Sequence, residues 1–359
     1  ALLLNTTGAS NTALGMGSVT FNTTGNNNTG VGYLALNANT TADSNTAVGF
    51  QVLAANTTGT ANTAVGHNTL DANTTTHNNT AFGYNALTVA TSTQNTAVGS
   101  EALAANTTGG DNVAVGQSAG VAVTTGGNCT LIGKSAGDSL TTGSNTTCIG
   151  YNAGTAISTA QHNLCVGADS GLSITTNQYN TIIGTHANSK GDNTTDQYQI
   201  ALGYDVESVG GSAFTFGTGT GNDRVYNEFA SNNSWTRVSD ERYKKEIQDN
   251  TDCGLDFIND LRPVTFKWKE KAELDPSFPD YNAEKTNDAH PYKLYGLIAQ
   301  EVKEALDNNN ITDFGGWHCV TTGEHTQQGV SQEMFIHPLI KAVQELSAEI
   351  EELKTQPKC

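Results

Sequence analysis

"NTAVGFQVLAANTTGTANTAVG", residues 45 to 66, begins and ends with the same five letters, 17 residues apart. Variants of that pentapeptide close on Gly15, Gly32, Gly49, Gly66, Gly83, Gly99, Gly116, Gly133, Gly150, Gly167 and Gly184, a period of 17 with one step of 16. A unit this short is not a helical hairpin, and its Thr, Val, Ala, Asn and Gly are not the Leu, Glu and Lys of a coiled coil. Short β-segments broken by Gly and Asn turns remain, stacked one rung per repeat. With strands about 4.8 Å apart, the rungs make a rod on the order of 50 Å long.

The residue before each glycine is always apolar: Leu14, Val31, Val48, Val65, Phe82, Val98, Val115, Ile132, Ile149, Val166 and Ile183. These are expected to form a continuous inner ladder. Two places before the glycine, early Ala47, Ala64, Ala81, Ala97 and Ala114 give way to Leu131, Cys148, Cys165 and Ile182. Four places after it, Leu36, Leu53, Leu70, Leu87 and Leu103 become Gly120, Gly137, Gly154 and Gly171, while Val123, Leu140, Ile157 and Ile174 enter three residues further on. One solenoid whose cross-section changes near residue 116 is implied. Hydroxyl pairs eight and nine places after the glycine, from Thr23 and Thr24 through Thr91 and Ser92 to Thr175 and Thr176, suggest either β-branched strand edges or a face matched to ordered water. Several N-x-T sequons accompany them, which matter only in a eukaryotic secretory setting.

The chain has 359 residues, with 35 acidic against 17 basic side chains and a net charge of −18. Nucleic acid and anionic membrane are therefore poor partners, because phosphate contacts need clustered Lys and Arg. No apolar run reaches the roughly 18 residues a membrane span requires, and "ALLLN" is too short for a signal sequence, so no membrane insertion is expected. The six cysteines, Cys129, Cys148, Cys165, Cys253, Cys319 and Cys359, show no zinc-type spacing and fit buried reduced thiols; no metal or cofactor is expected. Up to Gly184 the only basic residue is Lys134, beside six carboxylates, Asp43, Asp71, Glu101, Asp111, Asp138 and Asp169. Most of the charge lies in the last third. The repeat resembles the head repeats of trimeric surface adhesins and the shafts of phage fibres, which implies three chains about one axis. Sparse apolar content points the same way, since a single chain is expected to bury little.

The charge changes at "WTRVSDERYKKEI", residues 235–247. Ser239 followed by Asp240 and Glu241 has the form of a helix N-cap and first turn. Downstream stand "GLDFINDLRPVTFKWK" (254–269), "YGLIAQEV" (295–302) and "HPLIKAVQELSAEIEELK" (337–354). In this order and spacing they resemble the intramolecular chaperone auto-processing domain of phage tail spikes, tail fibres and endosialidases. The resemblance implies a cleavage serine at Ser239, so a cut between Val238 and Ser239, with Lys244 as its partner. It also matches Arg242 and Ile247, and a second block, Gly296, Gln300 and Glu301, of structural character. A desolvated lysine can take the proton of a serine hydroxyl, in one chain or from a neighbouring one. Independently, Leu339, Val343, Leu346, Ile350 and Leu353 follow a 4,3,4,3 spacing with Glu345, Glu349, Glu351 and Glu352 beside it, a seam for self-association.

The expected protein is mainly β: a β-solenoid, β-helical trimeric shaft over 1–184, a β transition region over 185–238, and a small α+β chaperone domain over 239–359 ending in a coiled-coil helix. The implied function is a phage tail fibre or spike, a homotrimer that binds a host cell-surface glycan or protein receptor. It would assemble in the host cytoplasm and end on the virion tail, extracellular in the mature particle. Its terminal chaperone would cut itself once as a Ser–Lys endopeptidase, with no external substrate. The alternatives are a bacterial trimeric adhesin, an ice-binding solenoid, and a glycan-hydrolysing spike. The last needs two carboxylates about 5–10 Å apart, for which Asp192, Asp196 and Asp205, or Asp43, Asp71 and Asp111 across chains, are the candidates.

Overall fold

The computed structural model describes residues 1–191, 196–219, 223–228, 236–237, 241, 244–276, 281–285, 292–322 and 325–355. The chain divides into two compact units, Ala1–Lys245 and Glu246–Cys359. The first is a β-solenoid of about twelve turns. Each turn contributes one short strand, from β1 (Thr12–Leu14) to β12 (Ile200–Leu202), and every strand pairs in parallel with the next. The register is the repeat itself: Ala47 faces Ala64 and Val48 faces Val65. The parallel ladder runs beyond the eleven glycines, through β12 to β13 (Ala213–Gly217); β14 (Arg224–Glu228) and β15 (Thr236–Arg237) then add antiparallel.

The inner ladder is not the one expected. Alternation along a strand sends the residue two before the glycine inward, and Ala47, Ala64, Ala81, Ala97, Ala114, Leu131, Cys148, Cys165 and Ile182 are all fully buried. The residue directly before the glycine points outward: Val98, Val115, Ile132, Ile149 and Ile183 are 36–38% exposed. Both columns are apolar, so composition does not separate them; the place in the strand does, since Ile182 is buried and Ile183 exposed although the two are the same residue. The single chain also buries far more than its composition suggests, in one cluster running from Val19 to Val206.

Beside that cluster lies a second set of buried side chains that are polar. Asn28, Asn45, Asn62 and Asn79 form a buried ladder in which each side-chain oxygen accepts the backbone N–H of the next, at 3.0 Å. Their amides reach carbonyls, Asn45 Nδ2 donating to Gly59 O at 2.8 Å. A second ladder, Asn22, Asn39, Asn56 and Asn73, is linked amide to oxygen at 2.9–3.0 Å. Buried amides are tolerable only when paired, and a repeat pairs them automatically. The sequons on Asn22, Asn39, Asn56, Asn73 and Asn106 are therefore closed to modification in the folded shaft.

The change of cross-section follows from backbone geometry. The position four after the glycine is left-handed in each turn from Val19 to Gly171, φ +51° at Leu36 and +50° at Leu70, then +59° at Gly120 and +64° at Gly154. For a leucine that conformation costs roughly 1–2 kcal/mol, offset by the roughly 1.5–3 kcal/mol of burying the side chain. Later turns remove the strain with glycine and refill the space from the neighbouring column. A Cβ on Gly120 would lie 2.5 Å from Leu131 Cδ1, and one on Gly154 2.4 Å from Cys148 Sγ. Val123, Leu140, Ile157 and Ile174 meanwhile replace the second asparagine ladder.

The 16-residue step also has a local reason. Thr91 keeps its place, its N–H donating to Thr107 O, but Ser92 does not join the outer hydroxyls. It is nearly buried, and its carbonyl accepts Asn79 Nδ2 at 2.9 Å, as Thr76 O does from Asn62 one turn earlier. The deleted residue is the exposed second hydroxyl, the one the core can spare.

The second unit is a small α+β assembly: α1 (Leu255–Asp260), β16 (Val264–Phe266) paired antiparallel with β17 (Leu294–Gly296), α2 (Ala299–Asn308), the hairpin β18 (Trp317–Thr322) and β19 (His325–Val330), and α3 (Ile336–Thr355). Its core gathers Phe257, Val302, Ala305 and Leu306, with Phe314 and Phe335 edge-on at 5.1 Å. No helix among the described residues is long and apolar enough to cross a membrane.

Candidate processing site and chaperone unit

Val238 and Ser239, with Asp240 and Arg242, lie outside the described residues. Lys244 is exposed, and its N–H donates to Glu241 O at 2.9 Å. The described residues from 244 to 254 carry no helix, and α1 starts at Leu255.

α1 opens on Gly254 and has no side-chain cap of its own. Glu345, from the middle of α3, supplies one: its Oε2 accepts the Leu255 N–H at 2.7 Å while Lys341 Nζ stands 3.3 Å from Oε1. A Cβ at residue 254 would sit 2.3 Å from Glu345 Oε2, so the glycine is what admits the carboxylate. That hydrogen bond, then Lys341, holds the Glu345 carboxyl below its usual range. Glu345 was readable from sequence only as a flank of the α3 seam. A cap delivered from 90 residues away has no local signal.

A carboxylate of lowered pKa stabilises the fold above the unfolded value of about 4.3, and the contribution is lost as pH falls through the folded pKa. Glu345→Gln is expected to lower the melting temperature at pH 7 and to converge with the wild type near pH 3. Tryptophan fluorescence of the full chain reads this, since Trp235, Trp268 and Trp317 are its only tryptophans. An equal deficit at both pH values would show that the charge is irrelevant to the cap.

The second motif block is structural in its contacts. Glu301 takes Arg262 in a two-pronged pair, Nε to Oε2 at 3.1 Å and Nη2 to Oε1, which ties the end of α1 to the start of α2. Gly296 lies where a Cβ would meet Gln332 Nε2 at 3.1 Å and Phe266 Cε1 at 3.2 Å. Gln300 is exposed. On α3, Pro338 and Ala342 are buried, and the helix packs against α1. Leu339, Val343, Leu346, Ile350 and Leu353 are 44–66% exposed in the single chain. Leu339 also borders an open apolar groove with Ile258, Leu261, Pro263, Leu297 and Phe335.

In the shaft, the candidate carboxylates have structural or solvated surroundings. Asp43 Oδ1 accepts the Asn26 N–H at 2.6 Å, burial pushes the Asp71 carboxyl up, Asp111 and Asp205 are exposed, Asp196 is half-buried, and Asp192 lies outside the described residues. Asp43, Asp71 and Asp111 each sit on a different turn. Asp169, bonded to Asn152 at 3.0 Å and 3.5 Å from His186, is the better-connected acid and carried no sequence signal. In most outer pairs the first hydroxyl donates within the shaft: Thr57, Thr107 and Thr141 each donate to the carbonyl one turn on, at 3.0 Å.

Cys148 and Cys165 face each other on adjacent inner rungs, and burial pushes the Cys129 thiol up to about 11. All three are free, as are buried Cys253 and exposed Cys319, while Cys359 lies outside the described residues. Among the described residues no His, Cys, Asp and Glu group gathers as a metal site.

Residues 239–311 match the family model described as the chaperone of endosialidase, and the match starts on Ser239. Comparison with curated proteins and with solved structures returns no match.

Proposed function

We propose, from a chaperone-of-endosialidase domain set behind a β-solenoid, that this chain is a phage tail fibre or spike whose C-terminal unit brings three copies together and is then cut away before Ser239. The observation that carries the reading is the start of the family match at the residue where charge and composition change. That family is associated with trimerisation. The exposed α3 seam and the groove beside Leu339 are the surfaces that would meet in the assembled chaperone. A clamp at one end has a physical use, because a shaft that repeats every 17 residues penalises a slipped neighbour weakly.

The cut follows from the position of the serine. The Ser239 hydroxyl attacks the Val238 carbonyl carbon, the C–N bond breaks as an ester forms, and Lys244 carries the hydroxyl proton to the freed amine. Water then hydrolyses the ester, leaving a carboxylate at Val238 and a free amine at Ser239. Lys244 is exposed in the single chain, and a lysine becomes a useful base when desolvated. A neighbouring copy that covers Lys244 would make cutting wait for assembly. Once the clamp is gone, refolding has lost its starting point and the shaft is held kinetically. The outer end of such a shaft would carry a host-surface glycan or protein receptor site.

On a denaturing gel the wild type is expected to give fragments of about 25 and about 13 kDa, from a chain of 37.6 kDa and 359 residues cut after Val238. Ser239→Ala should keep the 37.6 kDa chain intact. An uncut wild-type band from a verified trimer would remove the processing step and leave the chaperone reading standing.

A further inference from the structure

The outward face of the parallel sheet is built from three columns, lying three before, one before and one after each glycine. The middle column is apolar on all twelve rungs, from Leu14 to Leu202, and the first is Thr, Val, Leu or Ile on every one. Neither column contains a charge, on a chain of net charge −18. In the third column Tyr33, Phe50 and His67 stack ring on ring at 5.1 and 4.8 Å. Phe82, Val98, Val115, Ile132 and Ile149 stay 36–38% exposed in the single chain.

Four residues of strand by eleven intervals is about 13 by 53 Å, on the order of 700 Å² per copy, beside the roughly 800 Å² per partner that stable interfaces cover. Nine of the first column's twelve residues are threonine and the third mixes rings with Ser100, Gln117 and Lys134, but the middle column runs apolar along the whole length. Soluble chains rarely leave so long an apolar line open. Its occupant must offer apolar groups every ~4.8 Å along the same length. An identical shaft does so at every rung, whereas a globular partner has no such period and a sugar chain, though periodic, offers hydroxyls instead of apolar groups. The six carboxylates of residues 1–184 all lie off these three columns, so shafts that meet here bring no acids together.

We propose that this outward face is where three copies of the shaft join, parallel and rung against the same rung, with the column of Val65, Val115 and Ile132 turned toward the common axis. The proposal rests on the trimeric reading above and adds to it the contact face and the register. Equivalent residues then meet their own copies at one level. The single bulky rung at Phe82 and the aromatic run from Tyr33 to Tyr84 give the periodic face fixed landmarks against a one-turn slip.

The test uses the full chain with Cys319 and Cys359 replaced by serine. Val115→Cys and, separately, Ile132→Cys are treated with a copper–phenanthroline catalyst in air, the oxygen accepting the two electrons of each disulfide. Both are expected to give a band of doubled mass on a non-reducing gel, while Thr108→Cys, exposed at another corner, gives none. Mixing Val115→Cys with Ile132→Cys should give no mixed pair, because the rungs differ. A trimer by light scattering that cross-links through Thr108 and not through Val115 or Ile132 overturns the proposal and leaves the trimer. A monomeric mass overturns both.

Discussion

Gly116→Ala is expected to destabilise the shaft by roughly 3–5 kcal/mol, a loss that a single methyl group rarely causes. Two independent effects add. Gly116 has φ +137°, a conformation open in practice only to glycine. A Cβ there would lie 2.4 Å from Gly133 O, the carbonyl of the next rung, which cannot move without disturbing the parallel ladder. The same geometry recurs from Gly15 to Gly203, with the Cβ contact between 1.8 and 2.5 Å. Gly191→Ala is the control: its φ is +59° and nothing lies within 4 Å of the added carbon, so about 1 kcal/mol is expected. Denaturant unfolding of the two variants separates backbone strain from steric contact. Equal small losses would mean that the rungs are looser than their spacing implies.

That glycine shows why so much of the architecture was readable. A period of 17 closing on an invariant glycine is a one-dimensional signal, and parallel in-register stacking converts it directly into structure. The change near residue 116 was visible for the same reason, because Leu103 to Gly120 and Ala114 to Leu131 are exchanges at fixed places in the period. What the period does not encode is direction. Ala64 and Val65 recur equally faithfully, and which of them points inward is set by the strand's alternation relative to the glycine turn rather than by side-chain size, since Ile182 and Ile183 are the same residue, one buried and one exposed. The asparagine ladders were hidden by the opposite bias, since Asn ordinarily marks turns, and only stacking supplies each buried amide with the next as its partner. In the second unit, with no repeat to exploit, the apolar spacing located α3 but neither α2 nor the reach of Glu345 to Leu255.

The contrast between neighbouring residues yields the largest expected effect. Ala64 is fully buried between Ala47 and Ala81, so Ala64→Asp places a carboxylate in a column with no cation and no spare donor in register. An unpaired buried charge costs several kcal/mol, and three such sites in an assembled shaft multiply the loss. The variant is expected to lose the central turns, read as lower β-signal and rapid proteolysis near residue 64. Burial raises the pKa of the new carboxyl above its unfolded value, so the loss should be smallest at acid pH and grow as pH rises past about 3.9. Val65→Asp differs by one position and should behave differently in kind. Its side chain stands on the outward face, so each chain still folds while the copies separate, giving a native β-signal at a monomeric mass. If Val65→Asp unfolds the chain while Ala64→Asp does not, the two faces of the sheet have been exchanged and the joining surface must lie on another side of the shaft.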